Sequence, residues 1–335
     1  MTNQSISEAA LIIKNGGLVA FPTETVYGLG ANALNPFAAA KIFEMKERPS
    51  FDPLIVHIAS FDDLATLSKG INENVMRLAK CFWPGPLTIV LLKSDIVPDI
   101  ITSGLPTVGI RMPNNEIALE LIRKSGCPIA APSANKFGQL SPVSAHHVKK
   151  QLPNVDCVLD GGNSSVGIES TIVSVEGDFC RLLRPGFITL EDIEKALPNT
   201  FVFDHAKPEK MVSPGLLKSH YSPKKPLFVL NGSENSLPEF SGMILHNDCD
   251  LHYKANRIIY TSQTGNKIEI AANLFAALHA MEEDENVENI YIERVEEKGL
   301  GIAIMDRIKK AAYQYTQQAR NTRFMSKAES LLIKI

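Results

Sequence analysis

Short apolar runs, each stopped by a proline, a glycine or a polar cluster, recur through the first two hundred residues of the chain. Residues 18–21, 54–59, 87–92, 107–113, 128–131 and 155–159 are of strand length, and none approaches a membrane span. Between them lie stretches with apolar positions at helical spacing, at 7–15, 74–82, 117–125 and 189–196. A further helix is opened by Asn35-Pro36 and closed by Lys46-Glu47-Arg48-Pro49. Strands and helices that alternate in this way predict an α/β protein.

The first run ends in an unusual tip, Phe21-Pro22-Thr23-Glu24-Thr25-Val26-Tyr27-Gly28-Leu29-Gly30. Pro22 cannot donate to a central ladder, so the strand stops there. Two hydroxyls, a carboxylate and a tyrosine follow within five residues, and then Gly28, Gly30, Ala31 and Ala33. A polar tip on a buried strand, next to small residues, suits a small-molecule site. A strand, a proline turn and a helix entry would give the same pattern.

Other runs carry single polar residues. Lys46 and Arg48 flank a proline-fixed turn and make a compact basic corner suited to phosphate oxygens. His57 is the only polar residue of its strand and reads either as a satisfied core histidine or as a functional one. Arg111 stands among apolar neighbours, where it needs an anionic partner, either a ligand carboxylate or an internal acid. Pro132-Ser133-Ala134-Asn135 offers small polar groups at a strand end, and Gly167-Ile168-Glu169-Ser170-Thr171-Ile172-Val173 puts polar residues in a strand-like run. His146 and His147, beside Lys149 and Lys150, read as a solvated helix face.

The 335 residues allow two domains, and 44% hydrophobic with 21% charged residues is ordinary for a globular chain. A net charge of −3 argues against coating nucleic acid by charge alone. Residues 1–150 hold 14 basic and 12 acidic groups, whereas 227–320 hold 9 and 14, so the first region is the better host for an anion. The five cysteines are scattered without CxxC spacing, which suggests small core residues rather than a zinc site or a disulfide framework. With no secretory pattern at the N-terminus, the expectation is a soluble cytoplasmic protein. Phosphate-loop, nucleophile-elbow and zinc-protease motifs are absent. Gly28-Leu29-Gly30-Ala31-Asn32-Ala33 fits the dinucleotide pattern, but Pro22 to Tyr27 separates it from its strand.

Residues 207–226 change character and read as an interdomain linker, yet contain Ser213-Pro214-Gly215 and His220-Tyr221-Ser222-Pro223, specific enough for a lid. Beyond it, strand candidates at 227–230, 243–245, 257–260 and 289–292 alternate with helices at 268–282 and 303–317. Gly299-Leu300-Gly301 reads as a turn, and 321–335 as a weakly determined tail.

The polar set, in this order, resembles the YrdC family of threonylcarbamoyl-AMP synthases. The resemblance is carried by the Pro22–Leu29 tip, Lys46-x-Arg48-Pro49, Pro53-Leu54-Ile55-Val56-His57, Arg111-x-Pro113, Pro132-Ser133-Ala134-Asn135 and Ser170-Thr171-Ile172-Val173. The linker motifs and Gly299-Leu300-Gly301…Asp306-Arg307 resemble the longer, two-domain branch. It implies a twisted mixed-sheet catalytic domain over 1–206, a linker or lid over 207–226 and a smaller Rossmann-like α/β/α domain over 227–320. It also implies synthesis of threonylcarbamoyl-adenylate and pyrophosphate from L-threonine, bicarbonate and ATP. Magnesium is expected on the ATP phosphates and no protein metal site. The product would pass to a tRNA threonylcarbamoyl transferase complex that modifies the adenosine beside the anticodon. A tRNA contact by this chain is left open, and no membrane is involved.

By the same resemblance Lys46, Arg48, Asp52, Thr107, Ser133, Asn135, Ser141, Arg184 and Tyr221 belong to ATP, and Thr25, His57, Arg111 and Ser170 to threonine. No side chain is expected to act as a covalent nucleophile. The family usually has Asn where this chain has Asp52, and a carboxylate near phosphates is unfavourable unless it holds the metal. The family also has a basic residue where this chain has Leu217. Carbamoyl transfer through carbamoyl-adenylate and a non-catalytic RNA-binding module are the competing readings. The first needs a large extra domain. The second lacks aromatic-rich basic stretches.

Overall fold

The computed structural model describes residues 3–198, 201–203, 220–230, 236–247 and 255–332, with side chains over 5–198, 220–230, 236–247 and 255–316. It divides into two compact units. The first takes Met1–Phe137, Ser141–Leu216 and Glu297–Ala303; the second takes Gly138–Leu140, Leu217–Glu296 and Ile304–Ile335.

Unit 1 opens with α1 (Asn3–Lys14), β1 (Val19–Phe21), β2 (Gly28–Asn32), α2 (Pro36–Lys46), β3 (Ile55–His57), α3 (Phe61–Leu67) and β4 (Ser68–Lys69). It continues with α4 (Glu73–Phe82), β5 (Leu87–Lys93), α5 (Asp99–Thr102), β6 (Thr107–Arg111), α6 (Glu116–Ser125) and β7 (Ile129–Ala130). Then come α7 (Ala145–Gln151), β8 (Cys157–Val158), β9 (Thr171–Glu176), β10 (Phe179–Arg184), α8 (Leu190–Ala196) and β11 (Phe201–Phe203). The strands form one mixed sheet in the order β11-β10-β9-β5-β6-β3-β7-β2-β1-β8, with β4 on β5.

Strand alternation sorts this sheet into two faces. Val56, Ile89, Leu91, Val108, Ile110, Val173, Val175 and Leu182 point into the main core, with Ala38, Ala39 and Ile42 of α2 and Val75, Leu78 and Ala79 of α4. The other face is covered at one end by α1 and α6, whose Ala9, Ile13, Ala118 and Leu121 pack on Val19, Phe21 and Ile129. Further along that face Ile55, Val90, Ile172 and Leu183 form a small cluster with no helix residue in it. The candidate site lies on this stretch.

Local chemistry accounts for the elements. Asn35 caps α2 by accepting from the amides of Phe37 and Ala38, with Pro36 at its first position. Ser60 and Asp63 form a capping box on α3, and Asn72, Asn115 and Ser144 cap α4, α6 and α7. The alternative reading of a helix entry after Tyr27 does not hold: the residues form β2, paired antiparallel with β1 in the register Val19↔Gly30 and Phe21↔Gly28. The small residues serve strand packing: a Cβ on Gly30 would lie 2.7 Å from both Ile129 Cγ2 and Phe21 Cε1.

Unit 2 carries β12 (Leu227–Val229), β13 (Ser241–Leu245), β14 (Arg257–Tyr260), α9 (Lys267–Glu283), β15 (Asn289–Ile292) and α10 (Leu300–Leu332). Its four strands are parallel, in the order β12-β15-β13-β14. This is the Rossmann-like arrangement expected. A crossover needs close helix approach, and a Cβ on Gly242 would meet Met281 Sδ of α9 at 2.6 Å.

The backbone of α10 runs on through 321–332 of the expected tail, with 333–335 outside the described residues, and only Gly299 of the Gly299–Gly301 motif is a turn. Of the four described cysteines, Cys180 is buried, Cys127 and Cys157 are half-buried against the core, and only Cys81 is exposed; Cys249 lies outside the described residues. The four lie near element ends, where apolar flanks do not guarantee burial. Ser213-Pro214-Gly215 and Leu217 of the linker lie outside the described residues.

Candidate functional site

The tip after β1 is tied down by its own hydroxyls. Thr23 Oγ1 donates to Val26 O at 2.6 Å and accepts from the amides of Thr25 and Val26, and it lies 2.9 Å from Thr25 Oγ1. Tyr27 OH donates to Gly162 O at 2.7 Å and accepts from Gly161 N, which pins the 160–162 turn beside the tip. Burial raises the Tyr27 pKa above that of a free phenol. The result is a buried loop that holds Glu24 beside β6. Glu24 Oε1 lies 2.7 Å from Arg111 Nη2, with both side chains 5% exposed. The internal acid that Arg111 required is thus Glu24. The ion pair is close but not aligned as a hydrogen bond, and Arg111 Nε and both Glu24 oxygens lack hydrogen-bond partners.

Register brings the other expected residues into line. His57 pairs with Arg111 across β3 and β6, Thr88 with Ile172 across β5 and β9, and Ile172 with Arg184 across β9 and β10. Ile89 pairs with Ile110, which sets Thr88 beside Arg111. One transverse row therefore reads His57, Arg111, Thr88, Ile172, Arg184. Ser170 joins it: its Oγ lies 2.8 Å from Thr88 Oγ1 and accepts from Arg184 Nη2 at 3.1 Å, while its carbonyl accepts from Arg184 Nε and Nη2. Burial, then the Arg111 charge, pushes the His57 pKa down to about 3, so its ring is neutral at pH 7. His57 Nδ1 has no hydrogen-bond partner, and Phe21 meets the ring edge-on at 6.0 Å.

Lys46 and Arg48, read as a basic corner, are both buried. Lys46 is 1% exposed, and its Nζ donates to Ser133 O at 2.6 Å and to Asn135 O at 2.5 Å. Glu47, in the left-handed region at φ 55, closes α2 and lets the chain turn to Arg48. Arg48 donates to Asp52 O and Pro53 O and forms an ion pair with Asp52 at 2.9 Å. Burial, then Arg48, lowers the Lys46 pKa. Burial also raises that of Asp52, opposed by Arg48, Lys46 and Arg184. Arg184 thus belongs to both groups, touching Ser170 on one side and acting on Asp52 on the other.

Ser133 meets Gly28 in an isolated bridge, and Ser141 Oγ donates to Glu169 Oε1 at 2.5 Å, both groups buried. Thr107 shares the Arg111 face of β6 but stands four residues, about 13 Å, along the strand. Tyr221 belongs to unit 2. There it adopts φ 63, its ring packs on His220 and Phe275, and the Arg307 guanidinium lies 5.7 Å over it. The contact of Arg307 with Tyr221 brings together two motifs 86 residues apart, and Asp306 ion-pairs with Arg307 at 2.9 Å. Glu24 and Glu169 lie in the polar runs of the sequence but, like Thr88, carry no ligand role there. Thr88 was the one polar residue in an apolar run, the same signal that marked His57. Among the described residues no group of three His, Cys, Asp or Glu could hold a metal ion, and no helix is long and apolar enough to cross a membrane.

Comparison with known proteins bears on this geometry. A family model described as "Telomere recombination" matches residues 11–186, and a model of the threonylcarbamoyl-AMP synthase C-terminal domain matches residues 188–313. The chain is 46% identical over 327 residues to the threonylcarbamoyl-AMP synthase of Pyrococcus abyssi, covering 91% of this chain and 93% of that protein. The chain belongs to the threonylcarbamoyl-AMP synthase family. The synthase of Bacillus subtilis is 41% identical over 321 residues, covering 92% of each. A crystal structure of P. abyssi Sua5 complexed with L-threonine matches with a TM-score of 0.84 at 43% identity, over 94% of this chain and 96% of that one. This family consists of ATP-dependent nucleotidyltransferases, and both halves of the chain are accounted for by it.

Proposed function

We propose that this chain makes threonylcarbamoyl-AMP and pyrophosphate from L-threonine, bicarbonate and the magnesium complex of ATP, with the two substrates held on the row from His57 to Arg184 and the basic corner beside it. The observation that carries this is continuity. Arg111 at one end and Lys46, Arg48 and Arg184 at the other are buried cations linked through Ser170 and Thr88.

Bicarbonate takes up a proton and loses water to give carbon dioxide, and the neutral threonine amine adds to it and releases a proton to give an N-carboxylate. One carboxylate oxygen attacks the α-phosphorus of ATP as the bond to pyrophosphate breaks. No protein nucleophile is needed, so the chain contributes position and charge. Arg111 suits the threonine α-carboxylate as a fork, with Thr25, Ser170 and neutral His57 around the rest of the molecule. Lys46, Arg48 and Arg184 suit the triphosphate, while Ser133, Asn135, Ser141 and Thr107 serve the remainder of the nucleotide. The role of Tyr221 rests on the family resemblance. Asp52 is a carboxylate placed among these cations and would be the residue to meet a magnesium ion carried by the ATP phosphates, which would neutralise phosphate charge. The product is suited to transfer onto a tRNA adenosine by a partner enzyme.

The test is pyrophosphate release from ATP and magnesium with threonine and bicarbonate each omitted in turn. Release that requires both is expected. Release without threonine would indicate carbamoyl chemistry, and none at all from folded protein would indicate a binding module. Arg111→Ala should abolish threonine-dependent release while MgATP still binds; loss of both together would contradict the assignment of Arg111.

A further inference from the structure

We infer that Glu24 binds the α-ammonium of the amino-acid substrate, so that the Glu24–Arg111 pair reads the substrate as a zwitterion and rejects carboxylates that lack the amino group. This rests on the proposed placement of threonine at Arg111.

The pair leaves hydrogen bonds unmade. Glu24 and Arg111 are both about 95% buried, and their charges lie 2.7 Å apart. A buried ion pair is costly unless further hydrogen bonds satisfy it. Here they do not: both Glu24 oxygens and Arg111 Nε have no hydrogen-bond partner. A structural pair stitching a loop to a sheet would be expected to use those positions. A site awaiting a ligand leaves them open. The open positions are complementary to one head group, since the guanidinium has a donor for a carboxylate and the carboxylate has acceptors for an ammonium. In an α-amino acid these two charges sit on one carbon, matching two protein charges in direct contact.

Rigidity supports the same reading. Arg111 ends β6, anchored by pairing with β3 and β5. Glu24 is held by the Thr23 turn, and its carbonyl accepts from Val166 N at 2.7 Å. The neighbouring polar group, His57, can offer an ammonium no negative charge in either protonation state, whereas Glu24 is a carboxylate in direct contact with Arg111. Glu24 is therefore the anion for that task. A carboxylate without an amino group would bring its negative charge against Glu24 with nothing to compensate.

The experiment is calorimetric titration of the full-length protein with L-threonine and with 3-hydroxybutanoate, which is threonine without its amino group. Wild type should bind threonine at least tenfold more tightly; equal affinities would overturn the inference without any variant. In Glu24→Gln, threonine should weaken at least tenfold while 3-hydroxybutanoate binds as well as before or better, since nothing then competes for Arg111. A purely structural role would move both ligands together, and that result, or no change in either, overturns the inference. MgATP binding checks the fold, and Glu24→Asp, which keeps the charge, should keep the threonine preference if the glutamine variant does not fold. Arg111→Ala separates the two readings. It should lose both ligands, and unchanged binding of both would remove the proposed threonine site itself, whatever Glu24 does.

Discussion

At the scale of single residues the site is a set of charges held away from water, and its pH response follows. His57 titrates near 6.5 when exposed and at about 3 in the fold. Between those values the unfolded chain binds a proton that the folded chain does not, so stability falls as pH drops. At pH 5 this one residue is expected to cost about 2 kcal/mol relative to neutral pH. His246, whose ring nitrogens meet Thr261 Oγ1 and the Glu293 carbonyl, is pushed down to about 4 by burial and adds a slope of the same sign in unit 2. Urea midpoints at pH 7 and pH 5 should show the loss, and His57→Gln should flatten it; an unchanged slope would mean that His57 is charged in the fold. Asp52 gives a second prediction. It partners Arg48 but also subtracts charge from the basic corner. Asp52→Asn should therefore tighten MgATP binding by about tenfold in a titration. Weaker binding would show that the carboxylate serves the metal instead.

At the scale of elements the hairpin of β1 and β2 shapes the site: its loop supplies Glu24, and its strands govern the packing without a charge of their own. Phe21 packs on Gly28 and Gly30 on one side and meets His57 edge-on on the other. A methyl at Gly30 would be 2.7 Å from Phe21 and from Ile129. Gly30→Ala should then cost about 1–3 kcal/mol in denaturant unfolding, and by pushing Phe21 towards His57 should raise the KM for threonine more than that for ATP. Equal changes in both constants would mean that the strain does not reach His57. The helix ends carry smaller terms. Asn35→Ala, which leaves the amides of Phe37 and Ala38 without their cap, should cost about 1 kcal/mol and leave both KM values unchanged.

At the scale of the molecule the chain is not divided by one cut. Unit 1 includes residues 297–303 from far along the chain, and unit 2 includes 138–140. A protein ending at Ala206 should therefore lack threonine-dependent pyrophosphate release, and a fully active truncation would remove any need for the linker and for 297–303. The two sheets differ in kind. The mixed sheet of unit 1 has one face under α2 and α4 and only part of the other under α1 and α6. The polar row runs along the rest of that face, where its side chains are buried without a helix residue in the apolar cluster beside them. The parallel sheet of unit 2 has the topology that places a ligand crevice at strand ends, but its polar groups there, His246, Thr261 and Glu293, are bonded to one another.

The sequence by itself determined the α/β class, most strands and helices, the capping of α2, the basic corner and the single polar residues His57 and Arg111 in apolar strands. These depend on local spacing, turn chemistry and the rule that a buried charge needs a partner, all of which one short stretch displays. What it left open needed distance. Whether Arg111 had an internal acid could not be read from strand β6, because Glu24 comes from a loop 87 residues earlier. Thr88 and Ser170 face each other only because β5 and β9 pair in parallel, with 82 residues between them. The same holds for β2, where glycine spacing fitted a helix entry until Phe21 and Ile129 showed which close contact the glycines serve. Register is set by the whole sheet and not by any strand in it. So the kinds of residue were visible along the chain, while their assembly into one row was decided by tertiary structure.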